Sequence, residues 1–456
     1  MNILVTGGTG FVGKKLGFNL VKNGYKVFTL VRDKKKKPIL PYPCTFLDWN
    51  DLSDIINNKK IEIHSVVNLA GEPVAQRWND KIKREILNSR VDTTNRLVKI
   101  FKNSDLKSFI SSSAIGYYGD RDDEKLTEES ESGSGFLTRV CVEWERAALK
   151  IKEESPKTKC VILRLGMVLG EGEGALAQMV PPFQAGVGGM IGDGKMWVSW
   201  IHVEDLVNMI GWAIENDSVK GVYNAVSPNP VTNKEFSEKL AARFNKKLFL
   251  PVPKLAVKVL FGEMSQVVFA SQKVQSEKAS EQGFTYKYST VSEALKSTVE
   301  SLDAFEKKVI FEQWLPISKE RLFPYFQDEK NLEELTPPWL NFKVLNKSTD
   351  QIQKGTIVNY QLKLYGIPFG WQTEILDMQK NKSFIDNQVK GPYSKWHHTH
   401  DFIALGEGTL VKDTIRYKVP MSGLGKTFAG PKVDNDVKKI FKYRSEKILD
   451  VIKGLS

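Results

Sequence analysis

Apolar residues over the first 110 positions come in short blocks separated by longer amphipathic stretches. Ile3 to Thr6, Lys26 to Val31, Ser65 to Leu69 and Ser108 to Ser112 read as strands, and Val66-Val67-Asn68-Leu69 and Phe109-Ile110 are almost wholly apolar, as expected when both faces of a sheet are covered. Between them, Lys14 to Lys22, Leu52 to Asn57 and Asp80 to Lys102 carry helical patterns. This alternation predicts a parallel sheet wrapped by helices, a doubly wound α/β fold. Val161-Ile162-Leu163-Arg164-Leu165 predicts one more buried strand. From Gly166 to Gly194 the chain is rich in Gly and Pro and reads as loop more than framework, the place for a substrate pocket. Residues 232 to 305 are again helix-rich.

After Val309 the period changes. Thr356 to Tyr365, Trp371 to Leu376 and Thr409 to Val419 alternate with period two, and Val433 to Ile452 predicts a final helix whose Val437, Ile440, Phe441, Ile448, Leu449 and Ile452 form one apolar face. A separate α+β unit is therefore expected at 309–456, after a first domain at 1–305 whose substrate part spans about 166–305. The boundary, Glu306-Lys307-Lys308, has no long flexible linker.

Composition narrows the function classes. A chain of 456 residues with 41% hydrophobic positions can bury more than one core. A mean hydropathy of −0.31 and the lack of any apolar run near 18 residues exclude an integral membrane protein. The opening residues run straight into a strand-and-turn pattern without a basic leader, so a cytoplasmic location is expected. Cys44, Cys141 and Cys160 are too few and too scattered for a disulfide framework or a thiolate metal site. The net charge of +12 is spread over both parts of the chain. Its one local run, Lys34-Lys35-Lys36-Lys37, could attract an anion or be a solvated loop. No nucleic-acid recognition module accompanies the charge, and no nucleic-acid partner is expected.

Thr6-Gly7-Gly8-Thr9-Gly10-Phe11-Val12-Gly13 follows a strand and opens a helix. Glycines at 7, 10 and 13 permit a tight turn, close approach of backbone N–H groups to a pyrophosphate, and close helix-to-strand packing. Arg32 ends the second strand, where an acidic residue would select a ribose 2′-hydroxyl and an arginine a 2′-phosphate. NADP(H) is therefore expected over NAD(H), although Asp33 could point at the same ribose. Asp48 could meet the adenine edge or merely end a strand.

These residues, with Asn68-Leu69-Ala70-Gly71 and Ser111-Ser112-Ser113, resemble the extended short-chain dehydrogenase/reductase superfamily. Asn68 to Pro73, Ser89-Arg90, Ser113 to Gly119, Trp144-Glu145, Pro181-Pro182-Phe183, Trp200-Ile201-His202 and Gly262-Glu263-Met264 are similar to its atypical branch, the epimerase family proteins. The resemblance covers residues 1 to about 305 and implies a Rossmann-type sheet with a small substrate subdomain. It implies cofactor contacts at Gly7, Thr9, Gly10, Phe11, Val12, Gly13, Arg32, Leu69, Ala70, Gly71 and Arg90. Arg90 would stand near the phosphates, or be a helix surface charge.

In that superfamily a Tyr and a Lys four residues apart on a helix work with a Ser. Alignment on Trp144-Glu145 puts Leu137 and Cys141 at those positions, and neither can transfer the proton or hold the ribose. Ser113 remains at the serine position and could polarise a carbonyl, or satisfy local backbone. Tyr117 and Tyr118 are the nearest substitutes for the missing donor, or packed tyrosines. His202 could be an acid in the cleft or a strand-to-helix junction with Asp205 near a cap.

Phe323-Pro324-Tyr325-Phe326, Asn331 to Leu340, Gly355-Thr356 and Gly391 to His400 resemble the SRPBCC, or START-like, superfamily in its cyclase/dehydrase and lipid-transfer branch. That resemblance implies a helix-grip fold with an apolar cavity for a lipid-like ligand. On a strand His398 and His400 share a face while His397 points away, so two histidines at most could meet one ion, with no third ligand apparent and no metal site expected.

Together these readings give an NADP(H)-binding oxidoreductase acting on a small-molecule substrate, fused to a hydrophobic-ligand domain. In it Gly166 to Gly194 and Trp197 to His202 line the substrate side. The alternatives are a catalytically inactive NADP(H)-sensing binding protein and a nucleoside-diphosphate-sugar epimerase, which would need a tyrosine base where Leu137 stands.

Overall fold

The computed structural model describes residues 1–36, 38–303, 305–364, 366–419 and 425–455. Lys37 of the lysine run and Tyr365 at the end of a predicted strand lie outside them. Contacts divide the chain into two compact units: Met1–Pro38 with Cys44–Ser301, and Ile39–Pro43 with Leu302–Ser456.

The first unit is built on seven strands: β1 (Asn2–Thr6), β2 (Lys26–Leu30), β3 (Thr45–Leu47), β4 (Ser65–Asn68), β5 (Ser108–Ala114), β6 (Lys159–Leu165) and β7 (Gly221–Ala225). They form one sheet in the order β7-β6-β5-β4-β1-β2-β3, and every neighbouring pair is parallel. Helices α1 (Phe11–Lys22), α2 (Trp49–Asn57), α3 (Asp80–Ile100) and α4 (Phe136–Leu149) come after β1, β3, β4 and β5 in turn. Leu4, Phe28, Val66, Phe109 and Ile162 pack on one face against Leu52 and Ile55 of α2 and Leu97 and Val98 of α3. Their strand neighbours Ile3, Val5, Val67, Ile110 and Val161, which alternation sends to the other face, are equally buried. Both faces are covered, which is why these strands read as continuous apolar runs. The order reverses between β1 and β4, so a crevice opens beyond their carboxyl ends.

The Gly166 to Gly194 stretch is more ordered than its composition suggests. It contains β-structure at Met167–Leu169 and a helix, α5 (Gly174–Gln184), with Pro181 and Pro182 inside it. Two prolines remove two backbone donors from the helix. Burial of Leu176 and Phe183 against Trp200, Phe236 and Leu240 offsets that loss.

The second unit is a seven-stranded antiparallel sheet of β8 (Lys307–Leu315), β9 (Lys343–Lys347), β10 (Ile357–Leu364), β11 (Ile367–Gln379), β12 (Ser383–Lys390), β13 (Lys395–Leu405) and β14 (Gly408–Lys418), in the order β8-β14-β13-β12-β11-β10-β9. The strand predicted at Trp371 to Leu376 runs longer in both directions, because the β10–β11 ladder pairs residues out to Leu364 and Ile367 at the hairpin. One long helix, Gly425–Leu455, lies on this sheet. Its Val437 and Phe441 pack with Ile415 and Tyr417, and its Ile448 and Ile452 with Phe323 and Phe402. Each such buried side chain contributes about 1.5–3 kcal/mol. This is the helix-grip arrangement. Among the described residues no helix is long and apolar enough to cross a membrane.

Candidate functional site

The turn between β1 and α1 lies at the reversal of strand order. Gly7 has φ +67°, and a Cβ there would stand 2.7 Å from the carbonyl oxygen of Leu69. A Cβ on Gly13 would overlap the backbone of Gly7 and Gly8. Both positions therefore require glycine. The N–H of Gly10 donates to the Gly7 carbonyl, closing the turn. Gly10 begins α1 without any side-chain cap, and its first turn carries no acidic residue. The helix N-terminus thus presents its amides and its positive dipole end to the crevice, which suits an anion. Thr9 and Gly10 are exposed there, whereas Phe11 and Val12 are half-buried. Phe11 packs over Gly170 and Gly174.

The far side of the crevice is tied to β1. Thr6 donates its hydroxyl to Asn68 at 2.7 Å and accepts the Ala70 N–H at 3.1 Å, while Asn68 donates to Thr94 at 2.8 Å. Leu69, Ala70 and Gly71 follow as a loop held by Arg90, whose Nη1 donates to the carbonyls of Glu72 and Ile86. The same guanidinium sits beneath Gly71 and over the Trp144 ring. Arg90 thus supports the loop, and desolvation by burial pulls its pKa below the usual value.

Arg32 stands at the end of β2 with its side chain 93% exposed, 3.7 Å from Glu72. Asp33 accepts the Lys35 N–H. Asp48 forms a capping box at the start of α2, accepting the N–H groups of Asn50 and Asp51 while Asp51 accepts its own. Lys34 pairs with Asp48 and Asp51, so part of the lysine run neutralises local acids.

At the carboxyl end of β5 the polar groups form a buried chain. Ser113 donates to Glu145 of α4 at 2.6 Å. Glu145 takes Arg164 of β6 through both carboxylate oxygens, each contact 2.9 Å. Arg164 also donates to Tyr118, whose hydroxyl donates to Asn224 of β7. Tyr118 is wholly buried and its hydroxyl is engaged by both partners, so it is a structural link, and burial pushes its phenol up to about 12. Tyr117 is half-buried, with the Arg164 guanidinium 3.4 Å above its ring. Leu137 and Cys141 of α4 both face Gly116, so the dyad positions do point at this site. Burial, then the charge of Glu145, pushes the Cys141 thiol up to about 11. Glu145, Arg164 and Asn224 were missed by sequence reasoning, and the signal was an arginine inside an apolar strand.

His202 lies elsewhere. It caps the helix α6 (Val203–Glu215), its Nδ1 accepting the Glu204 N–H, while Nε2 meets Ser297 and the ring packs on Tyr288. Asp205 does no capping; it accepts the N–H groups of Lys287 and Tyr288.

In the second unit, a cavity of about 170 Å³ opens between sheet and helix, lined among others by Phe326, Tyr360, Trp371, Phe384, Trp396 and Phe441. His398, His400 and Asp386 face it, as does Arg444.

A parallel seven-stranded sheet with a glycine turn at its point of reversal defines a dinucleotide-binding fold of the Rossmann class. The chain belongs to the epimerase family proteins, and its residues 3–225 match the family described as NAD dependent epimerase/dehydratase. It is 38% identical over 309 residues to the chloroplastic epimerase family protein SDR39U1 homolog of Arabidopsis thaliana, covering 66% of this chain and 87% of that one. It is 34% identical to epimerase family protein YfhF of Bacillus subtilis, covering 66% of this chain and 98% of that one. A crystal structure of human epimerase family protein SDR39U1 with NADPH superposes with a TM-score of 0.59 at 31% identity, over 66% of this chain and 100% of that chain. Residues 252–298 match a domain of unknown function, and residues 315–442 match the family described as polyketide cyclase / dehydrase and lipid transport.

Proposed function

We propose that residues 1–305 bind NADP(H) and act as an oxidoreductase of the atypical short-chain type on a small-molecule substrate, and that residues 309–456 hold an apolar ligand. The observation that carries this reading is the uncapped N-terminus of α1 beneath a turn in which Gly7 and Gly13 admit no side chain. The human relative solved with NADPH supports the choice of nucleotide. When bound, the nicotinamide supplies a hydride. The chain's own residues hold the pyrophosphate on the amides of Gly10 to Val12 and meet a 2′-phosphate with Arg32. Arg90 keeps the Leu69–Gly71 loop open toward the same crevice. Tyr117, fixed by the plane of Arg164, is the hydroxyl offered to a substrate oxygen in place of the missing dyad.

A second reading, an NADP(H)-sensing binding protein, is favoured by one contact: Ser113 spends its proton on Glu145 and has none left for a carbonyl. Titration of intrinsic tryptophan fluorescence with NADPH and NADH, in wild type and Arg32→Ala, tests the nucleotide site. NADPH should bind at least tenfold tighter than NADH, and the variant should lose the difference; equal affinities in wild type would reject the assignment of Arg32. NADPH consumption with a panel of ketones and enones then separates the readings. No turnover despite tight NADPH binding would leave the sensing protein.

A further inference from the structure

Four ionisable side chains gather on the cavity face of the second sheet, far in sequence from the nucleotide turn. Strand register brings them together. Asp386 on β12 lies opposite His398 on β13, and His400 on β13 lies opposite Asp413 on β14. Residues two apart on a strand share a face, so both histidines turn inward, flanked by one carboxylate on either side. His398 and His400 are 4% exposed and Asp413 6%, and the Asp386 side chain is half-buried at 18%.

The atoms divide into two layers. Asp386 Oδ2 stands 3.0 Å from His400 Nε2 and 3.4 Å from His398 Nδ1. Two donors on one ion, each about 2.0–2.2 Å from it, lie about 3.0–3.5 Å apart, so this oxygen and these two nitrogens have the spacing of ligands. The opposite nitrogen of each ring meets Asp413 Oδ1, His398 Nε2 at 3.0 Å and His400 Nδ1 at 2.7 Å. A carboxylate behind a metal-bound imidazole fixes its tautomer and its orientation. Mutual hydrogen bonding leaves the cluster incomplete, because His400 Nδ1 has no hydrogen bond of acceptable geometry despite that short contact. The three inner groups also line the cavity, and so does Arg444, whose Nε and Nη1 are buried with no hydrogen-bond partner.

We propose that Asp386, His398 and His400 bind one divalent transition-metal ion at the wall of the cavity, with Asp413 orienting both rings. Two imidazoles and one carboxylate suit zinc or ferrous iron and not magnesium or calcium, which prefer oxygen donors throughout. Three protein ligands leave open positions directed at the cavity. The ion and the Arg444 guanidinium then offer two positive groups to the anionic or carbonyl head of an amphipathic ligand whose tail lies among Tyr360, Trp371 and Phe384. The ligand part rests on the proposed binding of an apolar molecule; the metal part does not.

The test uses the full chain, stripped with a chelator and dialysed, with Co²⁺ and Zn²⁺ as probes. One cobalt per chain should bind with visible ligand-field absorption, and X-ray absorption of the zinc-loaded protein should show imidazole scattering. His398→Gln and Asp386→Asn should each weaken binding at least 100-fold, and Asp413→Asn about 10–100-fold, with circular dichroism confirming that each variant is folded. Uptake well below one ion per chain by the wild type, absence of imidazole scattering, or binding unchanged in both His398→Gln and Asp386→Asn would overturn the site. The wild-type measurements decide the question even where a variant fails to fold. A metal bound normally with no gain in affinity for a fatty carboxylate over the matching alcohol would remove the ligand part alone.

Discussion

Ser113 donates a hydrogen bond from its hydroxyl to Glu145, 2.6 Å away, and Glu145 is itself clasped by Arg164. This ties the carboxyl end of β5 to α4 and β6 through a bidentate ion pair that is almost wholly buried. A buried pair contributes modest net stability, but removing one partner leaves an uncompensated charge. Glu145→Gln should therefore cost about 3–5 kcal/mol, and Ser113→Ala less, about 1.5–3 kcal/mol for one hydrogen bond to a charged group. Urea unfolding of the two variants beside wild type checks the order. Equal losses would mean that Arg164 finds another partner.

Gly13→Ala should remove nucleotide binding. A Cβ at that position collides with the backbone of Gly7 and Gly8, so either α1 moves away from the turn or the turn opens. Both outcomes displace the amides that would meet the pyrophosphate. NADPH affinity, read by fluorescence titration, should fall at least tenfold. Gly24→Ala is the control: that glycine sits at positive φ, +81°, but has open space around its Cβ position and lies just past the far end of α1. It should lose some stability and retain NADPH affinity.

Acid should weaken the first unit through His202. Burial, aided by Lys287 and opposed by Glu204, lowers its pKa from 6.5 to about 4. The unfolded chain thus takes up a proton between those values that the folded chain refuses. The contribution of His202 to stability is complete above pH 6.5 and is lost as the pH falls toward about 4. Urea midpoints measured through that range should decline, and His202→Asn, which can still cap the helix, should decline less steeply. Parallel curves would show that other groups govern the acid limb.

Cys141 should resist alkylation. Its thiol is 3% exposed and is pushed up to about 11, so almost no thiolate is present at neutral pH. Cys160, equally buried and also raised to about 11, should behave the same way. Mass spectrometry after brief iodoacetamide treatment of the native protein should find neither residue modified, with both labelled in urea. Rapid native labelling of Cys141 would show that its thiol is accessible and partly ionised, against this expectation.

Local pattern determined most of the architecture. Apolar runs such as Val66-Val67 marked strands covered on both faces, glycines at 7, 10 and 13 marked the phosphate turn, and the apolar face ending in Ile452 marked the gripping helix. These features depend on neighbours in sequence, through helical and strand periodicity and the conformations open to glycine. The α5 helix was not legible, because two prolines argue against it and only packing of Phe183 reveals why it forms. The roles of Arg90 and Ser113 were also beyond local reading, since each depends on where a partner such as Glu72 or Glu145 lies in the fold, whereas the cap that Asp48 makes with Asp51 is set by residues three apart in the chain. Nor could the chain alone bring Asp386 and Asp413 to His398 and His400, because strand pairing joins residues from three strands on one face. Sequence determined the elements and the turn; the tertiary structure decided which charges meet, because burial and strand register place groups that local pattern cannot relate.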